Sequence, residues 1–408
     1  MLHALLQRLI RVGNMTVRYE SGRSETYGDG TGTPVVVRIS NRGARRTALN
    51  PELGFGEAFM DGDVVLEQGD IWNLFEIVGR NQGPGVKSTL DGRLTRLRKL
   101  VMRRLQQVND RRAAKHNVAH HYDLSYDLYR RFLDADMQYS CAYFARPSMS
   151  LEEAQAAKKA HLASKMRLEP GMRVLDIGCG WGGLALELGA RYGVQVLGIT
   201  LSKEQLAIAR QRAEAAGLGE RVKFELIDFR DVQGQFDRIV SVGMFEHVGV
   251  PNYRAYFNSI GKLLTDDGVA VVHSIGRRTP PSGTNPWIQK YIFPGGYIPA
   301  LSETLAAVEE IGLWVTDVEI LRVHYGETLK HWRQRFNAHR AEIEKLYDAR
   351  FCRMWEFYLA CSELAFRYGG HMNFQLQLAK RRDAVPFTRD YMVDDERAGP
   401  RRVIQAAE

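Results

Sequence analysis

Val174-Leu175-Asp176-Ile177-Gly178-Cys179-Gly180-Trp181-Gly182-Gly183 is an apolar run carrying one acid, then glycines at alternate positions, and a helical pattern takes over at Leu184. That order describes a strand that enters a tight turn and leaves as a helix. Glycine reaches φ > 0 without strain and lets a ligand approach where a Cβ would otherwise stand. At the carboxyl end of a strand in an open α/β sheet, such a turn is where a nucleotide-like cofactor lies.

Working outward, strands and helices alternate. A helix is predicted over Leu151–Met166, strand one over Arg173–Ile177 with its helix over Leu184–Arg191, and strand two over Gln195–Thr200 with a helix from Lys203 to about Ala216. Strand three follows at Val222–Asp228, strand four at Arg238–Gly243, a helix near Tyr253–Leu264, and strand five at Gly268–Ser274. This alternation predicts an α/β fold, a doubly wound parallel sheet with helices on both faces. Beyond Gly276 the pattern reads as irregular and rich in aromatics and proline.

Upstream, Met15–Glu20 and Ser24–Tyr27 flank Ser21-Gly22 as a hairpin, Val35–Ile39 is a further strand, Asp61-Gly62-Asp63 a turn and Ile71–Val78 a short helix. The breaker cluster Asn81-Gln82-Gly83-Pro84-Gly85 marks a boundary. The expected organisation is a small α+β domain over 1–85, lipid-associated or dimerising, a basic linker helix over 86–115, and a catalytic domain over 116–408.

Composition sets outer bounds. The chain has 408 residues, 45% hydrophobic and 25% charged, as in an ordinary globular protein with room for a large core. Cys141, Cys179, Cys352 and Cys361 show no metal-ligand spacing, so no metal site and no disulfide are expected, and a reducing, cytoplasmic setting fits. No apolar run approaches the ~20 residues of a membrane span. The start, Met1–Arg11, is interrupted by Arg8 and lacks the pattern of a signal peptide. The formal net charge is +8. Arg93, Arg96, Arg98, Lys99, Arg103, Arg104, Arg111, Arg112 and Lys115 stand against the single acid Asp110, with leucines and valines at helical spacing between them. Such a helix rests on anionic lipid, serves as a solvated linker, or binds a nucleic acid backbone.

The glycine spacing, Gly178-x-Gly180-x-Gly182, is not that of a dinucleotide turn, and strand two ends in Thr200 rather than an acid. The acids are Asp176, before the glycines, and Asp228, at the end of strand three. That pattern suits a nucleoside without a pyrophosphate, such as S-adenosylmethionine. Asp228 would accept from the adenine amino group, and the sulfonium tolerates carboxylates that a pyrophosphate would not. Ser202-Lys203-Glu204-Gln205 also fits a capping box, which gives Gln205 a second use.

Further segments carry a resemblance: His120-His121-Tyr122-Asp123-Leu124-Ser125, Tyr139-Ser140-Cys141-Ala142-Tyr143-Phe144, Gly198–Gln205, Phe245-Glu246-His247-Val248-Gly249, His273-Ser274-Ile275-Gly276, Ile292–Gly296, His324-Tyr325, His331-Trp332 and Met354–Arg367. With the glycine turn they make residues 116–378 resemble the cyclopropane-fatty-acyl-phospholipid synthase family, which also holds the mycolic-acid cyclopropane and methyl-branching enzymes. The amino-terminal unit resembles the longer bacterial members more loosely. The resemblance implies a Rossmann-like class I methyltransferase sheet, S-adenosylmethionine as methylene donor, and the cis double bond of an unsaturated phospholipid acyl chain as acceptor. It implies a cofactor pocket of Tyr139, Ser140, Gly178, Gly180, Thr200, Gln205, Asp228 and Phe229, to which the glycine turn adds Asp176 and Gly182. It implies bicarbonate held by Cys141, Glu246, His273 and Tyr325 with the backbone of Ile275. It also implies a homodimer, placed with the basic helix at the inner face of the membrane. One departure stands out: a cysteine of the family falls on Ser362 by alignment, one residue after Cys361. A one-residue shift turns a helical side chain by about 100°, so Cys361 is expected to be a buried thiol without a catalytic part.

The chemistry suits these residue types. An alkene is a poor nucleophile and a sulfonium methyl a good electrophile, so the task is to align the two and exclude water. Methyl transfer leaves a carbocation on the chain, and removal of a proton from the new methyl group closes the ring. Glu246 and His273 follow strands four and five at the edge where the cofactor lies. The aromatics Tyr139, Tyr143, Phe144, Phe245, Trp287, Tyr291, Phe293 and Tyr297 would line an acyl channel or serve as core. Alternatives are a methyl-branched or methylene product, a small-molecule methyltransferase, and a nucleic-acid methyltransferase. The last lacks its motif, since the segment after strand four reads Met244-Phe245-Glu246-His247, and no nucleic-acid partner is expected.

Overall fold

The computed structural model describes residues 2–82 and 125–399. The basic segment Arg93–Lys115 and the motif residues His120–Leu124 lie outside them. The described chain divides into two compact units, each assembled from separate stretches. One comprises residues 2–82 with Ser282–Pro294 and Gly326–His371, the other residues 125–281 with Gly295–Tyr325 and 372–399.

In the first unit, β1 (Met15–Tyr19) and β2 (Ser24–Tyr27) form the expected hairpin, with Met15 opposite Tyr27. β3 (Val35–Ile39) runs parallel to β1, and β4 (Val64–Gln68) antiparallel to β3, giving the order β2-β1-β3-β4. The helix Ile71–Arg80 starts at Asp70, whose side chain caps Asn73 while Asn73 returns the bond, satisfying two backbone N–H groups that the helix itself cannot pair. Phe55, Phe59, Phe75 and Trp287 pack around Phe357 of the helix Ala349–Arg367, at ring separations of 4.5 to 6.0 Å.

The second unit holds a seven-stranded sheet in the order β10-β11-β9-β8-β5-β6-β7. Its strands are β5 (Arg173–Ile177), β6 (Gln195–Thr200), β7 (Val222–Leu226), β8 (Phe236–Val242), β9 (Leu264–Arg277), β10 (Trp314–Leu321) and β11 (His371–Ala379). β5 through β9 pair in parallel; β10 and β11 pair antiparallel. Neighbouring residues fall into cores on opposite faces: Leu175, Ile239 and Val272 on one, Val174, Val240 and Val271 on the other. Burial on both faces is why these strands read as continuous apolar runs. This is the doubly wound α/β sheet expected from the sequence.

The region beyond Gly276 corrects the sequence reading. It is not irregular: it contains two strands of this sheet and regular helices at Leu301–Ile311, His324–Ala338 and Ala349–Arg367. The reason is visible in β11, His-Met-Asn-Phe-Gln-Leu-Gln-Leu-Ala. It alternates polar and apolar like a surface strand, yet Asn373, Gln375 and Gln377 are all buried. No described helix is long and apolar enough to cross a membrane.

The chain runs outward from β5 through β6 to β7, then crosses back to β8 on the other side. The carboxyl ends of β5 and β8 therefore flank a crevice at the point where the strand order reverses, the standard ligand position in such sheets.

Candidate functional site

The crevice is a cavity of about 160 Å³ built around the glycine turn. The turn is tied to the next strand by Gly178 and Cys179, whose N–H groups both donate to the Ile199 carbonyl at 3.0 Å. Gly180 has φ +53 and a Cβ built there would meet nothing within 4 Å. The space in front of that backbone is the cavity itself, which is how a turn admits a ligand closely.

Gly182 has another use. It does not line the cavity. It precedes the helix Gly183–Tyr192 at φ +85, and a Cβ there would fall 2.8 Å from Phe224 Cζ and 3.0 Å from Ala209 Cβ. Its assignment to the cofactor is thereby replaced by a packing role. Gly182→Ala is expected to cost about 1–3 kcal/mol through the left-handed backbone alone, read as a lower urea midpoint; an unchanged midpoint would contradict this.

One end of the cavity is polar. Thr200 Oγ1 donates to Gln205 Oε1 at 3.0 Å and accepts from the Ser202 N–H at 3.1 Å. Ser202 caps the helix Lys203–Ala215 by accepting from the Gln205 N–H. The Gln205 side chain is thus turned to Thr200 at the cavity wall rather than back to the cap, which favours ligand contact over the capping box. Asp228 and Phe229 also line this end. Asp228 is held by Arg230, which donates to its two oxygens at 2.7 and 2.6 Å. Arg230 is itself in the lining, and an adenine amino group would share the carboxylate with it.

The segment Met137–Ser140 also lines the cavity. Tyr139 packs edge-on against Tyr129 and Phe132 at 5.1 and 6.3 Å, and Tyr129 packs on Trp181 of the turn at 5.8 Å. Asp176 is buried below the turn, and desolvation raises its carboxyl to about 7 against the pull of Lys158.

The 3₁₀ turn Phe245–His247 joins this cavity to the second group of expected residues. Met244 and His247 line the cavity, and desolvation pushes the His247 imidazole down to about 4. Glu246, between them, points to the sheet. Its Oε1 accepts the Ile275 N–H at 2.6 Å and burial raises it to about 7. Its Oε2 is buried with no donor in hydrogen-bonding geometry among the described residues. The nearby Ser274 hydroxyl is turned onto the Ile275 carbonyl instead.

His273 lies on β9, buried, with Asn373 Nδ2 at 3.3 Å and Gln375 Nε2 at 3.0 Å from its two ring nitrogens. Burial holds its pKa well below the ordinary value, so the ring is neutral. A neutral imidazole has one donor and one acceptor. One of the two amides must therefore turn its oxygen to the ring, which also satisfies one of two otherwise unpartnered buried carbonyls. Cys141 is buried and its thiol donates to the Ala142 carbonyl. Tyr325, also buried, follows His324, whose Nδ1 accepts the Phe144 N–H at 3.0 Å. None of Glu246, His273, Ile275, Cys141 and Tyr325 lines the cavity itself.

Of the eight aromatics, Tyr139 lines the cavity. Phe245 is core, packed on Tyr253 at 4.3 Å, and Tyr297 donates to Glu303. Trp287, Tyr291 and Phe293 belong to the other unit. Cys361 is half-buried rather than buried as expected; its thiol donates to the Tyr358 carbonyl, and desolvation raises it to about 12, so it stays a thiol. Among the described residues no cluster of three His, Cys, Asp or Glu is placed to hold a metal ion. Sequence reasoning missed Gln138, Arg230 and His247, each a near neighbour of a residue it named, and Lys158, for which it held no signal.

Comparison with known proteins bears on this arrangement. Residues 109–376 match the family model of mycolic acid cyclopropane synthetase, and residues 1–89 that of a domain of unknown function. The chain is 40% identical over 335 residues to the cyclopropane-fatty-acyl-phospholipid synthase of Escherichia coli, covering 82% of this chain and 85% of that one. It is 36% identical over 393 residues to the tuberculostearic acid methyltransferase of Mycobacterium tuberculosis, covering 90% and 88%. The crystal structure of mycolic acid cyclopropane synthase CmaA1, complexed with SAH and CTAB, superimposes with a TM-score of 0.61 at 34% identity, over 65% of this chain and 97% of that one.

Proposed function

The chain belongs to the mycolic acid cyclopropane synthetase family and is an S-adenosylmethionine-dependent methyltransferase, and from that premise we propose that it transfers a methylene group to the cis double bond of an unsaturated phospholipid acyl chain, closing a cyclopropane ring. The observation that carries this reading is the single turn Phe245–His247. It places His247 in the wall of the cofactor cavity and, one residue away, the buried carboxyl of Glu246.

The cavity's residues fit the cofactor. Gly180 leaves the approach open, Thr200 and Gln205 present a polar pair, and Asp176, held up at about 7 by burial, is a carboxyl whose ionised form a nearby sulfonium would favour. When bound, S-adenosylmethionine supplies an electrophilic methyl group. The chain's own contribution is to hold the alkene in line and keep water from the cation that follows. Buried Tyr129, Trp181 and Phe245 keep the surroundings of the cavity dry.

The unpartnered Oε2 of Glu246 carries a proton below about 7, and in that form it would donate to a small anion nearby. Glu246, His273, Tyr325, Cys141 and the Ile275 backbone would hold bicarbonate, which would supply a base for the departing proton. In this reading the acceptor stays in the bilayer and the enzyme works as a homodimer, from the cytoplasm, at the inner face of the membrane. Residues 1–85 form a lipid-associated or dimerising domain, 86–115 a basic linker and 116–408 the catalytic domain, and the +8 net charge favours an anionic lipid surface.

The relative that is a tuberculostearic acid methyltransferase supports a second reading, in which the cation loses a different proton to give a methylene chain, or takes hydride from an added reductant to give a methyl-branched one. Incubation with unsaturated phospholipid vesicles and labelled S-adenosylmethionine, followed by fatty-acid methyl ester analysis, separates the two. The expected product is heavier by one CH₂ and has lost its unsaturation to a ring. A branched or methylene chain selects the second reading, and unlabelled lipid overturns both.

A further inference from the structure

The helix Leu151–Met166 is buried on most of its surface although it carries Gln155, Lys158, Lys159, His161 and Lys165 among its buried residues. A buried ammonium is costly unless it is paired and hydrogen-bonded, so each of these cations needs a local reason. Lys159 reaches Asp136 at 2.7 Å, and Lys165 and His161 reach Glu319. Lys158, fully buried, is different: its Nζ donates to two neutral oxygens, Gln138 Oε1 at 2.7 Å and Ser140 Oγ at 2.8 Å. Both residues line the cofactor cavity. Gln155, one turn earlier, donates to the Ser140 carbonyl at 2.9 Å and so holds the same residue by its backbone.

An ammonium has only donors. Ser140 Oγ is therefore the acceptor in its bond with Lys158, and its own hydrogen remains available to the cavity, polarised by the adjacent positive charge. The Gln138 amide is likewise fixed with its oxygen toward Lys158 and its nitrogen toward Asp136, 3.1 Å away. A wall built this way offers a hydrogen-bond donor backed by a cation. Thr200, Gln205 and Asp228 mark the other part of the cavity, where a nucleoside's hydroxyls and amino group find acceptors. The charge complement of a donor backed by a cation is a carboxylate.

We propose that Lys158 is a positioning residue that acts through Ser140 to fix the carboxylate at the amino-acid end of the cofactor. The inference rests on the assignment of this cavity to S-adenosylmethionine and deepens it. Lys158 faces Asp134, Asp136 and Cys141 of the neighbouring loop, Asp176 of β5 and neutral His273 of β9, with Lys159 on its own helix. Desolvation is the largest influence and lowers Lys158 to about 8. The ammonium is thus present below that pH and lost above it, and affinity for a carboxylate-bearing ligand falls as the pH rises through about 8.

Calorimetric titration of the full chain with two ligands tests this: S-adenosylhomocysteine, which has the carboxylate, and methylthioadenosine, which keeps the nucleoside and thioether but lacks the amino-acid end. Lys158→Met is expected to weaken S-adenosylhomocysteine about tenfold or more, the usual worth of a charge-assisted hydrogen bond, and to leave methylthioadenosine unchanged. Ser140→Ala should show the same split, and the double variant should be no worse than the more affected single one, since both remove one chain of contacts. If Lys158→Met does not fold, Ser140→Ala and the pH dependence of the unaltered protein decide the matter. Equal loss of both ligands, no loss, or additive losses overturn the proposal while leaving the cavity as the cofactor site. Binding of neither ligand by the unaltered protein overturns the cavity assignment and this proposal with it.

Discussion

Glu246→Gln is expected to end ring formation while cofactor binding survives. The amide keeps the shape of the carboxyl, and its oxygen can still accept the Ile275 N–H that Glu246 Oε1 accepts at 2.6 Å. The 3₁₀ turn, and with it Met244 and His247 in the cavity wall, should therefore stay in place. What is lost is ionisation. Burial holds the carboxyl at about 7, so in the native protein it is balanced between its two forms near neutrality, a position suited to proton transfer or to holding an anion that performs it. Turnover is expected to fall by roughly 10²–10⁴-fold, the range for removal of a general acid–base group, with affinity for S-adenosylhomocysteine within about threefold of the starting value. If the ionised form is needed, the native enzyme should gain activity as the pH rises through about 7, because the carboxyl is protonated below that value. Fatty-acid analysis and calorimetry read the two halves. Near-native turnover in the variant would remove Glu246 from the chemistry, and loss of cofactor binding would make it a structural residue.

The second large effect concerns stability. Glu319→Ala is expected to destabilise the second unit by about 3 kcal/mol or more, the scale for breaking a buried ion pair from one side. Glu319 holds Lys165, which is almost wholly buried, and accepts from His161 Nε2 at 2.6 Å. The other nitrogen of His161 meets Glu396 at 3.0 Å, on the terminal helix Asp390–Ala398. Removing Glu319 strands a buried ammonium, with Asp317 remaining at 4.0 Å, and loosens the terminal helix.

The pH dependence has a definite sign. Glu319 is lowered to about 2, chiefly by its bond to His161 and the charge of Lys165 acting against desolvation. Its contribution is complete above its unfolded value near 4.5 and disappears as the pH falls through about 2. His161 is raised above 6.5, its bonds to Glu319 and Glu396 outweighing burial. Its contribution is complete below 6.5 and disappears as the pH rises through the folded value. The network is therefore strongest between about 4.5 and 6.5. Urea unfolding across this range should show both edges in the native chain and a flatter profile in Glu319→Ala. A flat native profile would mean the network adds nothing to folding.

Much of the fold was legible because its strands obey simple rules. β5, β6, β8 and β9 are rich in valine, leucine and isoleucine, as suits strands buried on both faces, and the glycine turn breaks the first of them at an unambiguous place. The glycine turn, Asp176 and Asp228 were legible for the same reason, since a left-handed backbone needs glycine and the two acids stand at strand tips, whereas Tyr139, Ser140, Thr200, Gln205 and Phe229 were placed by the family resemblance. Tyr139, Ser140, Gly178, Gly180, Thr200, Gln205, Asp228 and Phe229 all line one cavity. Gly182 looked equivalent to its neighbours, and only the approach of Phe224 and Ala209 from other elements separates it from them.

The polar interior could not be read the same way. Lys158, Lys159 and Lys165 have the look of a solvated helix face, and Asn373, Gln375 and Gln377 that of an exposed strand edge. They are buried because their partners come from distant parts of the chain: Ser140 and Gln138 for Lys158, Glu319 for Lys165, His273 for Asn373 and Gln375. The sequence alone thus determined the sheet and the glycine turn at its carboxyl edge, since apolar periodicity and the conformational freedom of glycine are local properties. Only the tertiary structure decided which charges lie inside, because the burial of a polar group depends on a partner whose position no local pattern encodes.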